Sequence, residues 1–190
     1  MLKFIFPLLI MVIIFATILI MYKKLVDKKT NRELIVISIF ALYIMAVICV
    51  VLFPLPVQKE YIVDMIKYNQ GVSNNLIPFM AWVDAVNDMR YVGVLQAFYQ
   101  PIANMILFFP LGFYLPIILP KWRFKKIILV AFLSSLSIEL TQEFINLILG
   151  FNYRAFDVDD LICNTVGAAM GYLFYRCVVK IVLISKEELY

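Results

Sequence analysis

The chain has 190 residues, of which 64% are hydrophobic and 16% charged, and its mean hydropathy is +0.94. A soluble domain is usually about a quarter charged, so the composition excludes an ordinary soluble fold and points to an integral membrane protein. The net charge of +4 does not imply a nucleic-acid partner, because the basic residues flank apolar runs, where their natural role is to set topology.

In chain order, the first apolar run is 4–22, long enough to cross a bilayer and without the small-residue cleavage site of a secretory signal. Lys23, Lys24, Lys28, Lys29 and Arg32 follow it. The second run, 34–53, is uncharged and ends at Pro54–Leu55–Pro56. The segment 54–100 is rich in aromatic residues. Apolar residues recur at helical spacing over 57–68 (Val57, Tyr61, Met65, Tyr68), and the pattern repeats over 80–99 (Trp82, Val86, Met89, Tyr91), which predicts two helices lying in the membrane interface. Between them, Asn74 to Phe79 (NNLIPF) predicts a fixed turn.

The third run, 101–119, contains Asn104 and the break Phe109–Pro110–Leu111–Gly112, which predicts a kink. Lys121, Arg123, Lys125 and Lys126 follow. The fourth run, 126–149, carries Ser135, Glu139, Gln142 and Asn146 at spacings of four, three and four, one face of a helix. The fifth, 159–184, is preceded by Arg154. It continues a second stripe of Asp157, Asp160, Asn164, Gly167 and Gly171. Gly167 and Gly171 form a GxxxG pair, which lets another helix approach closely. The two stripes are expected to pack on each other, with Gln142 and Asn164 each facing the other's helix.

The expected fold is therefore all-α: a single polytopic membrane domain over 1–190, with about five transmembrane helices and interfacial helices in the long loop. The basic clusters fall in 23–33 and 121–126, on one side of a five-span thread. The positive-inside bias places these and the C-terminus in the cytoplasm. The N-terminus, the 54–100 loop and the Arg154–Asp160 stretch then face outward.

Carboxylates inside spans cost a few kcal/mol unless paired or wetted, and mark functional sites by default. Arg154 is the basic residue available to Glu139, Glu143 or Asp157. Histidine is absent, removing the usual general base and the commonest zinc ligand. The cysteines Cys49, Cys163 and Cys177 lack CxxC spacing and read as core residues. Two explanations of the polar stripes stand side by side: they lock two spans together, or they line an outward-opening pocket. Asp157, Asp159 and Asp160 also read as an acidic helix start, favoured by the helix dipole.

Four ordered motifs resemble the VanZ-like family of bacterial membrane proteins. They are Asn75-Leu-Ile-Pro-Phe79, Asn104-x-x-Leu-Phe-x-Pro-Leu-Gly-Phe113, Ser135-x-x-Ile-Glu-x-x-Gln142, and Arg154-x-Phe-Asp-x-Asp-Asp-x-x-x-Asn-x-x-Gly167. The resemblance covers about 75–175. It implies an association with lowered sensitivity to teicoplanin and related lipoglycopeptides, and it carries over no catalytic residue. The candidate ligand-binding residues are Asn75, Asn104, Glu139, Gln142, Arg154, Asp157, Asp160 and Asn164. The expected partners are membrane lipids or lipid-linked cell-wall precursors, with an amphiphilic antibiotic as a further candidate. No cofactor is expected. The alternative is a metal-dependent enzyme acting on a phosphate-bearing lipid carrier, its carboxylates holding Mg²⁺ or Ca²⁺. Further readings are a chaperone-like partner of another membrane protein and a transporter, the latter less consistent, as a stand-alone unit, with five spans, so few charges and no internal repeat.

Overall fold

The computed structural model describes residues 7, 9, 11–13, 15–16 and 31–187. Most of the first expected span and of the first basic cluster therefore lies outside the described residues. The described residues within that run are helical. Seven further helices follow in order: α1 (Asn31–Leu52), α2 (Lys59–Lys67), α3 (Met80–Val92), α4 (Val94–Ala97), α5 (Tyr99–Ile118), α6 (Phe124–Leu149) and α7 (Val158–Glu187). Four carry stretches long and apolar enough to cross a membrane: Glu33–Leu52, Tyr99–Ile118, Phe124–Leu149 and Val158–Val179. An all-helical architecture is what a bilayer demands, since a helix satisfies its own backbone hydrogen bonds.

The helix ends follow local chemistry. α1 stops at Leu52, just before the Pro54–Pro56 stretch; Phe53 precedes a proline and is thereby disfavoured from helical geometry. α6 ends at Leu149, and the next residue, Gly150, has a φ of 78°. Its N–H donates to the Asn146 carbonyl at 2.9 Å, the left-handed glycine termination common at helix C-termini.

The long loop departs from expectation at one point. The helical pattern over 80–99 is not one helix. It breaks at Gly93, whose φ is 87°, into α3 and the short α4. The third span then starts at Tyr99 rather than at Pro101. Hydrophobic periodicity is blind to such a break, because Val92, Gly93 and Val94 read as apolar or neutral in any conformation. α5, by contrast, runs unbroken through both Pro110 and Pro116.

The chain divides into two compact units: Met1–Val72 with Ile145–Tyr153, and Ser73–Phe144 with Arg154–Tyr190. In the first, the Val72 N–H donates to the Asn152 carbonyl at 2.9 Å. In the second, α5 and α7 pack backbone to backbone. A Cβ on Gly112 would stand 1.8 Å from the Ala168 carbonyl oxygen; one on Gly167 would stand 2.1 Å from that of Met105, and one on Gly171 2.0 Å from that of Phe109. Phe174 then rests against Phe109 and Phe113, with ring centroids 5.7 and 5.8 Å apart. This corrects the expected partner of the GxxxG pair: the glycines meet α5, not α6. Spacing along one helix identifies a close-approach face but not which neighbour uses it.

Candidate functional site

The site is built around Asn75. Its N–H donates to the Phe156 carbonyl at 2.9 Å, and its own carbonyl accepts from Val158 at 3.0 Å, so the NLIPF segment lies alongside the start of α7 as a one-residue parallel bridge to Asp157. The Asn75 amide donates to Asp157 Oδ1 at 2.8 Å and to Asp159 Oδ2 at 3.2 Å, while its Oδ1 accepts the Ile77 N–H at 3.1 Å. Each polar group of this one residue is engaged.

Asp157 immediately precedes α7. Its Oδ1 accepts the Asp159 N–H at 2.8 Å, capping donors that a helix N-terminus leaves unsatisfied. Its own N–H donates to Glu139 Oε2 at 3.0 Å. Burial pushes the Asp157 carboxyl above its ordinary value; the N–H groups of Asp159 and Asp160 and the Asn75 amide pull the other way.

Within the first turn of α7, Asp160 accepts hydrogen bonds from the Asn104 amide and, at 3.5 Å, from Gln100 Nε2. Deeper, the Asn164 amide donates to Ser135 Oγ of α6 at 2.8 Å. Arg154 is half-buried and interacts electrostatically with both Glu139 and Asp160. The α6 stripe is buried throughout, at Ser135, Glu139, Gln142 and Asn146. Seven of the eight predicted site residues are thus tied into one chain of interactions: Asn75, Asp157, Glu139, Arg154, Asp160 and Asn104, with Asn164 joined to the same α6 stripe through Ser135. Gln142 is buried three residues beyond Glu139. The α7 stripe serves two neighbours, Asp160 reaching α5 and Asn164 reaching α6.

Asp159 is the residue that sequence reasoning left out. It is 1% exposed and accepts from the backbone N–H groups of Phe79 (2.5 Å) and Ala81 (2.7 Å), as well as from Asn75. These are the orphan donors at the N-terminus of α3. The signal was present but indirect. No Ser, Thr, Asp or Asn stands immediately before Met80, and the capping position is Phe79, held at a φ of 67°. A helix without a local cap needs a distant one, and an acidic helix start two residues past Asp157 supplies it.

The same unit contains a cavity of about 680 Å³. Of the predicted site residues, Asn75 and Asp157 line it; the other six are not among its lining residues. Its walls are otherwise contributed by the segment 73–77, α3, the end of α4 at Ala97 and the start of α5. Among the described residues, no three His, Cys, Asp or Glu side chains group in a way that could hold a metal ion. Asp157 and Asp159 share the Asn75 amide, whereas Asp160 accepts from Asn104 and Gln100.

The motif spacing, the four apolar helices and the Asn75–Asp157 clasp can be set beside known proteins. The VanZ/LLP1 family model matches residues 40–182. A curated relative, Protein VanZ of Enterococcus faecium, is 34% identical over 139 residues, covering 73% of this chain and 71% of that protein. No solved structure matches. The match is wider than the 75–175 region in which the motifs lie, taking in part of α1 and most of α7. This multi-pass, all-helical membrane protein belongs to the VanZ/LLP1 family.

Proposed function

We propose that the chain is a non-enzymatic membrane protein whose polar pocket opens to the outer surface and binds a lipid-linked or amphiphilic ligand. It thereby lowers sensitivity to teicoplanin and related lipoglycopeptides, the association its family resemblance implies. The observation that supports this reading is the cavity of about 680 Å³ beside Asn75 and Asp157. Its size falls in the range of small-molecule sites, about 300–1,000 Å³, and it adjoins the start of an apolar helix that can span the membrane. Ligands in such a place meet polar groups and hydrocarbon together.

The outward orientation rests on charge. Four basic residues and no acidic ones lie in 121–126, against three acids and one arginine in 150–160. The basic side faces the cytoplasm, so the clasp and the cavity beside it face out. Asn104, Glu139, Gln142, Arg154, Asp160 and Asn164 hold the neighbouring helix ends in register.

Filling the cavity tests the reading. Ala97→Trp places a large ring on a cavity wall where a small side chain now stands. Cells expressing this variant at normal membrane abundance should lose the reduced teicoplanin susceptibility that the unmodified chain gives. Full protection at normal abundance would overturn the pocket reading.

A further inference from the structure

The cavity has a definite electrostatic character. Among the described residues, three carboxylates line it, Asp84, Asp88 and Asp157, and no lysine or arginine does. Asp84 and Asp88 stand four residues apart on α3, so they present like charges on one helical face, an arrangement that destabilises a helix unless something offsets it. Neither has a hydrogen-bond or ion-pair partner among the described residues, whereas Asp157 and its neighbours Asp159 and Asp160 are engaged by amides. The remaining wall is mixed: Ser73, Asn74, Asn75 and Gln100 are polar, while Leu76, Met80 and Pro101 give the same space an apolar part. The carboxylates and the hydrocarbon of this wall together offer a ligand both a charged and an apolar contact.

A cleft lined by one sign of charge concentrates ligands of the other sign. A divalent cation would need several oxygen ligands converging on one point, and no group of three acids, cysteines or histidines converges so among the described residues. A single ammonium needs only two carboxylates and forms charge-assisted hydrogen bonds to them.

We infer that the cavity selects a cationic amphiphile: an ammonium group held between Asp84 and Asp88, with its apolar portion against Leu76, Met80 and Pro101. The inference rests on the ligand-pocket reading and narrows it to one ligand class. Amine-bearing membrane lipids and amine-bearing amphiphiles arriving from outside share this chemistry.

The experiment uses the full chain in phosphatidylcholine nanodiscs, with protein-free nanodiscs to subtract partition into lipid. The probes are octylamine, octanol and octanoate, which share a tail and differ in charge; the amine is cationic at pH 7, since alkylammonium groups titrate near ~10.4. Octylamine should bind at least about tenfold more tightly than octanoate, and rising salt should erode the difference. The double substitution Asp84→Asn and Asp88→Asn should remove the preference for the amine while octanol binding stays as it was. Adding phosphatidylethanolamine to the nanodiscs separates the sources: competition with octylamine assigns the cation to a membrane lipid, and no competition assigns it to an external amphiphile. Equal binding of all three probes, unchanged in the double variant, would overturn the cationic preference and leave the pocket standing. Binding of none of them above protein-free nanodiscs would overturn both this inference and the pocket reading beneath it.

Discussion

Arg154 adds a positive charge to buried acids that amide donors already engage. It interacts electrostatically with Glu139, which is 2% exposed, and with Asp160. Removing one partner of a buried pair typically costs about 3–5 kcal/mol, because the remaining charge stays behind. Arg154 is only half-buried, so water screens it and the cost falls below that range. Arg154→Ala should therefore lower membrane abundance measurably. Arg154→Lys keeps the charge and loses the planar fork. If the guanidinium grips a ligand, the lysine variant should reach normal abundance and lose teicoplanin protection. If it only balances the acids, the lysine variant should retain both. An alanine variant with normal abundance and full protection would exclude both roles, with quantitative immunoblotting beside a susceptibility assay as the readout. Asn75 and Asp159 act differently from Arg154. Their bonds tie one backbone segment to another, so their contribution is to shape.

The α5–α7 contact is the strictest element-level constraint. Three glycines let two backbones touch, and any side chain there meets a carbonyl group rather than a side chain that could swing away. Without a hydrophobic driving force between helices in lipid, such close packing carries much of the association. Gly112→Ala and Gly167→Leu should each sharply reduce folded protein, since overpacking typically costs about 1–3 kcal/mol and more where backbone must move. Gly93→Ala provides the contrast. An added Cβ there meets nothing within 4 Å, so the cost is backbone strain alone: φ 87° and ψ 153° lie in a region kept almost wholly to glycine, at roughly 1–3 kcal/mol. Fluorescence-detected size exclusion of the solubilised variants should show Gly93→Ala with a smaller loss of the monodisperse peak than the two interface variants, in which backbone as well as a side chain must move. A normal profile for Gly167→Leu would refute the α5–α7 packing.

For the whole molecule the open variable is its direction through the bilayer. Four described helices can span, and the run 4–22 is the expected fifth. The exposed residues Lys121, Arg123, Lys125 and Lys126 precede or open α6, and the Lys126 ammonium lies 4.4 Å from the centre of the Trp122 ring. A tryptophan beside a basic cluster at the start of a span is the arrangement of a membrane–water boundary. With the basic side cytoplasmic, a cysteine introduced at Gln70 should react with an impermeant thiol reagent applied outside intact cells, and one at Lys28 should not. The reverse labelling would invert the thread and move the cavity to the cytoplasm.

The sequence alone determined the class of protein, because the bilayer leaves few choices: long apolar runs must be helices, and the described spans fall close to where hydropathy put them. It also determined which residues gather, since the regular spacing of Ser135, Glu139, Gln142 and Asn146 marks one buried face whatever lies opposite. The family was legible for the same reason, in motifs whose order along the chain is itself specific. Partnership was not legible. The GxxxG pair meets α5 rather than α6, and the predicted site residues other than Asn75 and Asp157 do not line the cavity. Asp159, read as one of several acids at a helix start, proved to be the cap of another helix some 80 residues away in sequence. Periodicity records what one helix presents. Which neighbour receives it depends on how separate segments meet, and hydrogen bonds between residues distant in sequence leave no local pattern from which they can be read.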